Sequence, residues 1–306
     1  MITFNTILVP TDFSPFADHA LAYARAFAKQ TGGAIHCVHV VDSRAVEGGG
    51  VEGVYINRAD LDATLQAVKE HAEAKMEHVV LKDHLLGVEV TPHVLVGAPA
   101  KDIAALATEI GADLIVIATH GRSGLDRLLL GSTCDKLIRS SPVPVLVVKH
   151  PEHEFVTADG GEMTLGKILV PCDFSDFSRA AVPVAADLCR KFGATLVLEH
   201  VVDTWLDYPE FAPQIEMNNS PHLAKAAQES LDKLACEQER VETIATVRAG
   251  VPHRLLAQTI EKENIDLVVM ATHGRSGLAH VLLGSVTERL VRMATCPLLT
   301  LHPNHK

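Results

Sequence analysis

Hydrophobic and polar positions along the chain alternate between two rhythms. Short apolar runs have the length of buried strands: ILVP at 7–10, AIHCVHVV at 34–41, LIVIA at 114–118 and VLVV at 145–148. Stretches with a helical period lie between them. Phe16, Ala20, Leu21, Ala24, Phe27 and Ala28 share one helical face. Ser14 and Pro15 supply an N-cap and a first-turn proline, and Gly32-Gly33 ends that helix. A longer helix is expected over 59–83, a strand over VEVTPHVLV at 88–96, a helix over 99–110 and a last helix after Ser132. Apolar strands alternating with helices predict an α/β fold built on a doubly wound parallel sheet. Such sheets bind ligands beyond the carboxyl ends of their strands, where the strand order reverses.

The pattern occurs twice. ILVPTDFS at 7–14 returns as ILVPCDFS at 168–175, and HVVD at 39–42 returns at 200–203, both offset by 161. ATHGRSGL at 118–125 recurs letter for letter at 271–278, offset by 153. The first copy therefore carries eight extra residues between Asp42 and about Gly97, with SRAVEGGGVEGV as the expected place. The 306 residues read as two tandem domains, 1–152 and 165–306, joined by a polar linker at 153–164. The apolar last strands, VLVV and LLTL at 298–301, would be association hazards as open edges. Their mutual pairing, with the halves as an intramolecular pseudo-dimer, is the expectation. Homo-oligomerisation beyond that is left open.

Composition narrows the function. Apolar residues make up 47%, enough for sizeable cores, yet no run approaches the ~18 residues of a membrane helix. The formal charge of -11 argues against a nucleic-acid binder, which needs a basic face. It does not argue against a local anion site made of backbone amides. Six scattered cysteines without a C-x-x-C read as buried free thiols in a reducing compartment. MITFNTILVPTDF has no basic start before its apolar stretch, so a cytoplasmic protein is expected. The seventeen histidines show no H-x3-H, H-E-x-x-H or Cys/His cluster, so they are read as solvated surface groups and no metal site is assigned.

Three segments fall just past strand ends. Pro10-Thr11-Asp12, repeated as Pro171-Cys172-Asp173, offers a carboxylate to ligand hydroxyls or amines; the same carboxylate can simply shape the turn into the helix. Peptide groups at His39-Val40 and His200-Val201 can read a base edge. The third segment runs Ala118-Thr119-His120-Gly121, nine residues, then Gly131-Ser132; the second copy has Ala271-Thr272-His273-Gly274, nine residues, then Gly284-Ser285. Glycines admit close approach of backbone to phosphate, and helices opening at Ser132 and Ser285 aim free amides at an anion. Arg122 and Arg275 add a charge-assisted contact. Ser285 with Glu288, and more loosely Ser132 with Asp135, also match a capping box. No P-loop, nucleophile elbow or dinucleotide fingerprint is present, and no acid/base pair can be placed, so catalytic residues are not assigned.

PTDFS after the first strand, HVVD after the second and G-x9-G-S before the last helix resemble the universal stress protein family, over nearly the whole chain and twice over. The resemblance implies tandem domains of adenine nucleotide alpha hydrolase-like fold. It implies ATP binding, with magnesium as an accompanying ion. By resemblance, Pro10, Asp12 and Val40 face adenine and ribose, Ile117 and Ala118 line the nucleoside, and Gly121, Gly131, Ser132 and Thr133 cradle the phosphates. Their counterparts are Pro171, Asp173, Val201, Met270, Ala271, Gly274, Gly284, Ser285 and Val286. The family's ATP-binding pattern, G-x2-G-x9-G-[S/T], has alanine here at its first glycine, Ala118 and Ala271. If that position needs positive φ, alanine costs on the order of 1 kcal/mol or more; if it needs only smallness, alanine serves. The expected function is adenine-nucleotide binding in stress adaptation, by binding and signalling. The alternatives are a nucleotide-free scaffold for protein partners or a small hydrophobic ligand, and a slow ATPase.

Overall fold

The structure is a computed structural model that describes residues 4–44, 58–119, 130–149, 154–203, 220–273 and 283–302. The chain divides into two compact units. One comprises Thr3–His150 with Val156–Glu162, the other Met163–Lys306 with Met1–Ile2 and Pro151–Phe155.

In the first unit the described elements are β1 (Thr6–Pro10), α1 (Pro15–Thr31), β2 (Ala34–Asp42), α2 (Arg58–Leu85), β3 (Val90–Gly97), α3 (Pro99–Glu109), β4 (Leu114–Ala118), α4 (Ser132–Ser140) and β5 (Val145–Val148). Their strands lie in the order β3-β2-β1-β4-β5, with parallel pairing throughout. The chain leaves β1 towards β2 on one side and returns to β4 on the other. The switch of direction that frames a ligand crevice therefore falls between β1 and β4. Ile7, Leu8, Leu114, Ile115 and Val116 are fully buried, as strands covered by helices on both faces must be.

The second unit repeats this with β6 (Lys167–Pro171), α5 (Asp176–Phe192), β7 (Thr195–Asp203), α6 (Ser220–Cys236), β8 (Thr243–Gly250), α7 (Pro252–Lys262), β9 (Leu267–Ala271), α8 (Ser285–Met293) and β10 (Leu298–Leu301). Its order is β8-β7-β6-β9-β10, again parallel. Ser14 and Ser175 cap α1 and α5 by accepting from the amides of Ala17 and Ser178, and glycines at φ 70° end both helices. A carboxylate aligns the starts of the central strands in each unit. Asp113 accepts from the Asn5 and Thr6 amides, and Asp266 from those of Gly166 and Lys167.

Two polar features were not foreseen. Arg25 of α1 is buried and its Nη1 lies 2.5 Å from Oδ1 of the buried Asp83 of α2. Its Nε donates to the Asp159 carbonyl at 3.0 Å, tying the segment 156–162 to α1. Burial raises the Asp83 carboxyl despite the adjacent guanidinium. The histidines also depart from the expectation of solvated surface groups. His200, His253 and His273 are buried, and His36 meets His93 of the neighbouring strand at 2.9 Å between ring nitrogens. Burial holds His36 below the ordinary imidazole range, helped by the charge of His93, and burial lowers His93 as well. Cys37, Cys134, Cys172, Cys189 and Cys296 are buried, whereas Cys236, at the end of α6, is exposed.

Asp83→Ala leaves the Arg25 charge buried without its carboxylate, at an expected cost of about 3–5 kcal/mol in chemical denaturation. The lowered His36 and His93 values mean that the unfolded chain binds protons first as pH falls. Their contribution is present above the free imidazole value and is lost as pH drops through the folded values. Thermal melts should show stability decreasing from pH 7.5 to pH 5.5, with a smaller decrease in His93→Asn.

Candidate functional site

At the carboxyl ends of β1, β2 and β4 the first unit encloses a cavity of about 250 Å³. β1 contributes Pro10, and the turn after it contributes Thr11 and Asp12. β2 contributes Val38, His39 and Val40, and β4 ends at Ile117 and Ala118. Gly131, Ser132, Thr133 and Cys134 close the cavity at the start of α4. The described candidates of the first copy, Pro10, Asp12, Val40, Ile117, Ala118, Gly131, Ser132 and Thr133, are thus gathered around one space. Gly121, Arg122, Gly274 and Arg275 lie outside the described residues. Pro99 and Ile103 of α3 also line the cavity and were missed from the sequence. The available signal was Pro99 at a helix start immediately beyond a strand end.

The turn carrying Asp12 is built the same way in both units. Phe13 and Phe174 adopt φ of 62° and 65°, a left-handed conformation that side-chain-bearing residues rarely adopt. Each ring packs on the histidine one residue beyond the last pair with the neighbouring strand, Phe13 on His39 at 4.5 Å and Phe174 on His200 at 4.6 Å between centroids. His39 Nδ1 lies 2.7 Å from the Thr11 carbonyl oxygen, and His200 Nδ1 2.6 Å from that of Cys172. A carbonyl partner requires the protonated nitrogen to be Nδ1. Asp12 Oδ1 accepts from the Ser14 amide, and Asp173 Oδ1 from the amide and hydroxyl of Ser175. The carboxylates therefore shape the turn. Asp12 also lines the cavity.

The start of the last helix differs from the capping-box expectation. The N-caps of α4 and α8 are Gly131 and Gly284, with no side-chain cap bond, and Ser132 and Ser285 are the first helical residues. Asp135 pairs instead with Arg139, and Glu288 with Arg292. The glycine amides donate to the carbonyls of Thr119 and Thr272, at 2.7 and 2.9 Å. The first-turn amides of α4 have no intrahelical acceptor and, among the described residues, no side-chain cap, and their residues line the cavity. A Cβ on Gly131 would come within 3.0 Å of the Thr119 carbonyl oxygen, which explains glycine at this close approach. Ala118 and Ala271 are not among the described residues with positive φ, so alanine is unstrained there and only its size matters.

In the second unit Met270 and Ala271 end β9, Gly284, Ser285 and Val286 begin α8, and Pro171, Asp173 and Val201 occupy the ends of β6 and β7. His253, at the start of α7, is buried, with Arg289 of α8 3.3 Å from its Nδ1.

A model of the universal stress protein family matches the chain twice, over residues 3–149 and 164–302. The chain belongs to the universal stress protein family. A universal stress protein of Methanocaldococcus jannaschii is 31% identical over 156 residues, 48% of this chain and 96% of that protein. One from Mycolicibacterium smegmatis is 32% identical over 195 residues, 63% of this chain and 62% of that one. The crystal structure of a universal stress protein from Archaeoglobus fulgidus aligns with a TM-score of 0.69 at 21% identity, over 98% of this chain and 99% of the other, which shows the fold.

In this universal stress protein the His39 bond holds the turn that presents Asp12. His39→Ala strands a carbonyl and removes the ring beneath Phe13. The expected loss is ~1–3 kcal/mol in urea denaturation. His39→Asn, whose amide nitrogen can occupy the Nδ1 position, should recover part of it.

Proposed function

We propose that the chain binds an adenine nucleotide of the ATP type at the carboxyl ends of its strands and serves stress adaptation through that binding. The observation that carries the reading is the cavity of the first unit, which joins an apolar floor to uncapped helix amides. Val38, Ile103 and Ile117 offer apolar surface to a flat base. Asp12 at one wall can accept from ribose hydroxyls or an exocyclic amine. The first amides of α4 and the Thr133 hydroxyl suit phosphate oxygens, and the helix dipole favours their charge. Because Gly131 carries no Cβ to press on the Thr119 carbonyl, the start of α4 can sit close against the end of β4. Bound nucleotide supplies the negative charge these donors lack, and magnesium would accompany it as counterion.

Binding rather than turnover is the proposed mode of action. Among the described lining residues the titratable side chains are Asp12, His39 and Cys134. Asp12 and His39 are engaged in the turn, and burial pushes the Cys134 thiol well above its ordinary range, away from nucleophilic character.

Calorimetric titration with ATP and magnesium tests the reading. Binding is expected in the micromolar-to-millimolar range, and no heat at millimolar nucleotide rejects it. Asp12→Ala should weaken the affinity by roughly tenfold or more, the worth of a hydrogen bond to a charged group.

A further inference from the structure

We propose that the two halves are unequal as nucleotide sites: the first takes the adenine nucleotide, and Glu199 with Arg248 determines that the second does not. This rests on the nucleotide reading and specifies where it applies.

Backbone register makes the two positions equivalent. Pro10 pairs with Val38 and Pro171 with Glu199 in the parallel ladders. The Thr11 amide donates to the Val38 carbonyl and the Cys172 amide to that of Glu199, each at 2.8 Å. Val38 lines the floor of the first cavity. Glu199 occupies the corresponding place on β7 and is buried at 2% exposure. Its Oε1 lies 3.5 Å from Arg248 Nη1. Arg248 is held in turn by α7: Nη1 donates to the Thr259 hydroxyl at 2.9 Å and the Leu255 carbonyl at 3.1 Å, and Nη2 to Gln258. The repeat places Leu95 and Leu106 of the first half at the positions of Arg248 and Thr259. The lining residue Val38, with apolar Leu95 and Leu106 at the related positions, is therefore replaced by a fixed ionic network in the other half.

That change acts against a purine. A flat base gains apolar contact on Val38, whereas a carboxylate–guanidinium pair at the same place gives its face no apolar surface. Seating a base there would strip the remaining solvation from a pair whose burial is already costly. Burial holds the Glu199 carboxyl above its usual range against the opposing effects of Thr259 and Arg248, a sign of how little water reaches it. Two further replacements point the same way. Val286 stands for Thr133, removing a hydroxyl donor from the first turn of the last helix. The buried His253 stands for Ala100 and adds a ring at the start of α7, against Arg289.

Stoichiometry decides the matter. The full chain is titrated with ATP and magnesium by calorimetry, alongside Ala118→Trp, which fills the first cavity, and the double variant Glu199→Val with Arg248→Leu, which installs the residues of the first half. The native chain should bind a single equivalent, Ala118→Trp should lose it with an unchanged far-UV circular dichroism spectrum, and the double variant should gain a second equivalent. Two equivalents on the native chain, one that survives in Ala118→Trp, or no gain in the double variant would each overturn the inference. Absence of any binding to the native chain overturns the nucleotide reading and this inference with it. If Ala118→Trp unfolds, the native stoichiometry and the double variant still decide.

Discussion

β1 exchanges backbone hydrogen bonds with β2 along one edge and with β4 along the other, and each pairing is parallel. Parallel neighbours cannot be joined by a tight turn, so each connection must cross over a face of the sheet. Because the chain goes to one side of β1 first and to the other later, the crossovers diverge at its carboxyl end. The opening between them is the cavity. Its contents follow from what the chain brings to that end of the sheet: a turn with Asp12 two residues past β1, the peptide groups of His39 and Val40 in the second half of β2, and the start of α4. The same ladder recurs around β6, where the aspartate-histidine-phenylalanine turn repeats to within a few degrees of φ and a tenth of an ångström in its hydrogen bond.

Duplication preserved the backbone devices and released the side chains around them. The His39 and His200 bonds, the Ser14 and Ser175 caps, and the Asp113 and Asp266 clamps answer to backbone groups that every copy of the fold must satisfy. The buried charges answer to no such requirement, and they differ. Arg25, which pairs with Asp83, has Ala186 at the equivalent position of α5, fully buried. Glu199, which meets Arg248, has Val38. Among the described residues the halves thus differ in these two ionic contacts, the buried one between α1 and α2 and the half-buried one between β7 and β8.

Helix and strand positions were largely legible in the sequence because apolar period, capping serines and stop glycines are local signals. α1 begins at Pro15 and is closed by Gly32, and LIVIA forms β4 at 114–118. The misreadings concern relations between distant residues. Ser285 and Glu288 have the spacing of a capping box, but the chain enters α8 one residue earlier, so Gly284 takes the cap position and Glu288 turns to Arg292. The histidines were read as solvated because spacing reports only on neighbours along the chain. His36 and His93 are 57 positions apart and meet only because β2 and β3 are adjacent.

By itself the sequence determined the doubled α/β pattern, the strand ends at which chemistry could sit and the glycines that permit close approach, since these depend on local periodicity and backbone freedom. Tertiary structure alone decided that Val38, Ile103 and Ile117 share one floor, that alanine at 118 and 271 is unstrained, and that Glu199 meets Arg248. Those facts rest on which strands are neighbours and on the water excluded when they pack, and neither is written in the spacing of residues along the chain.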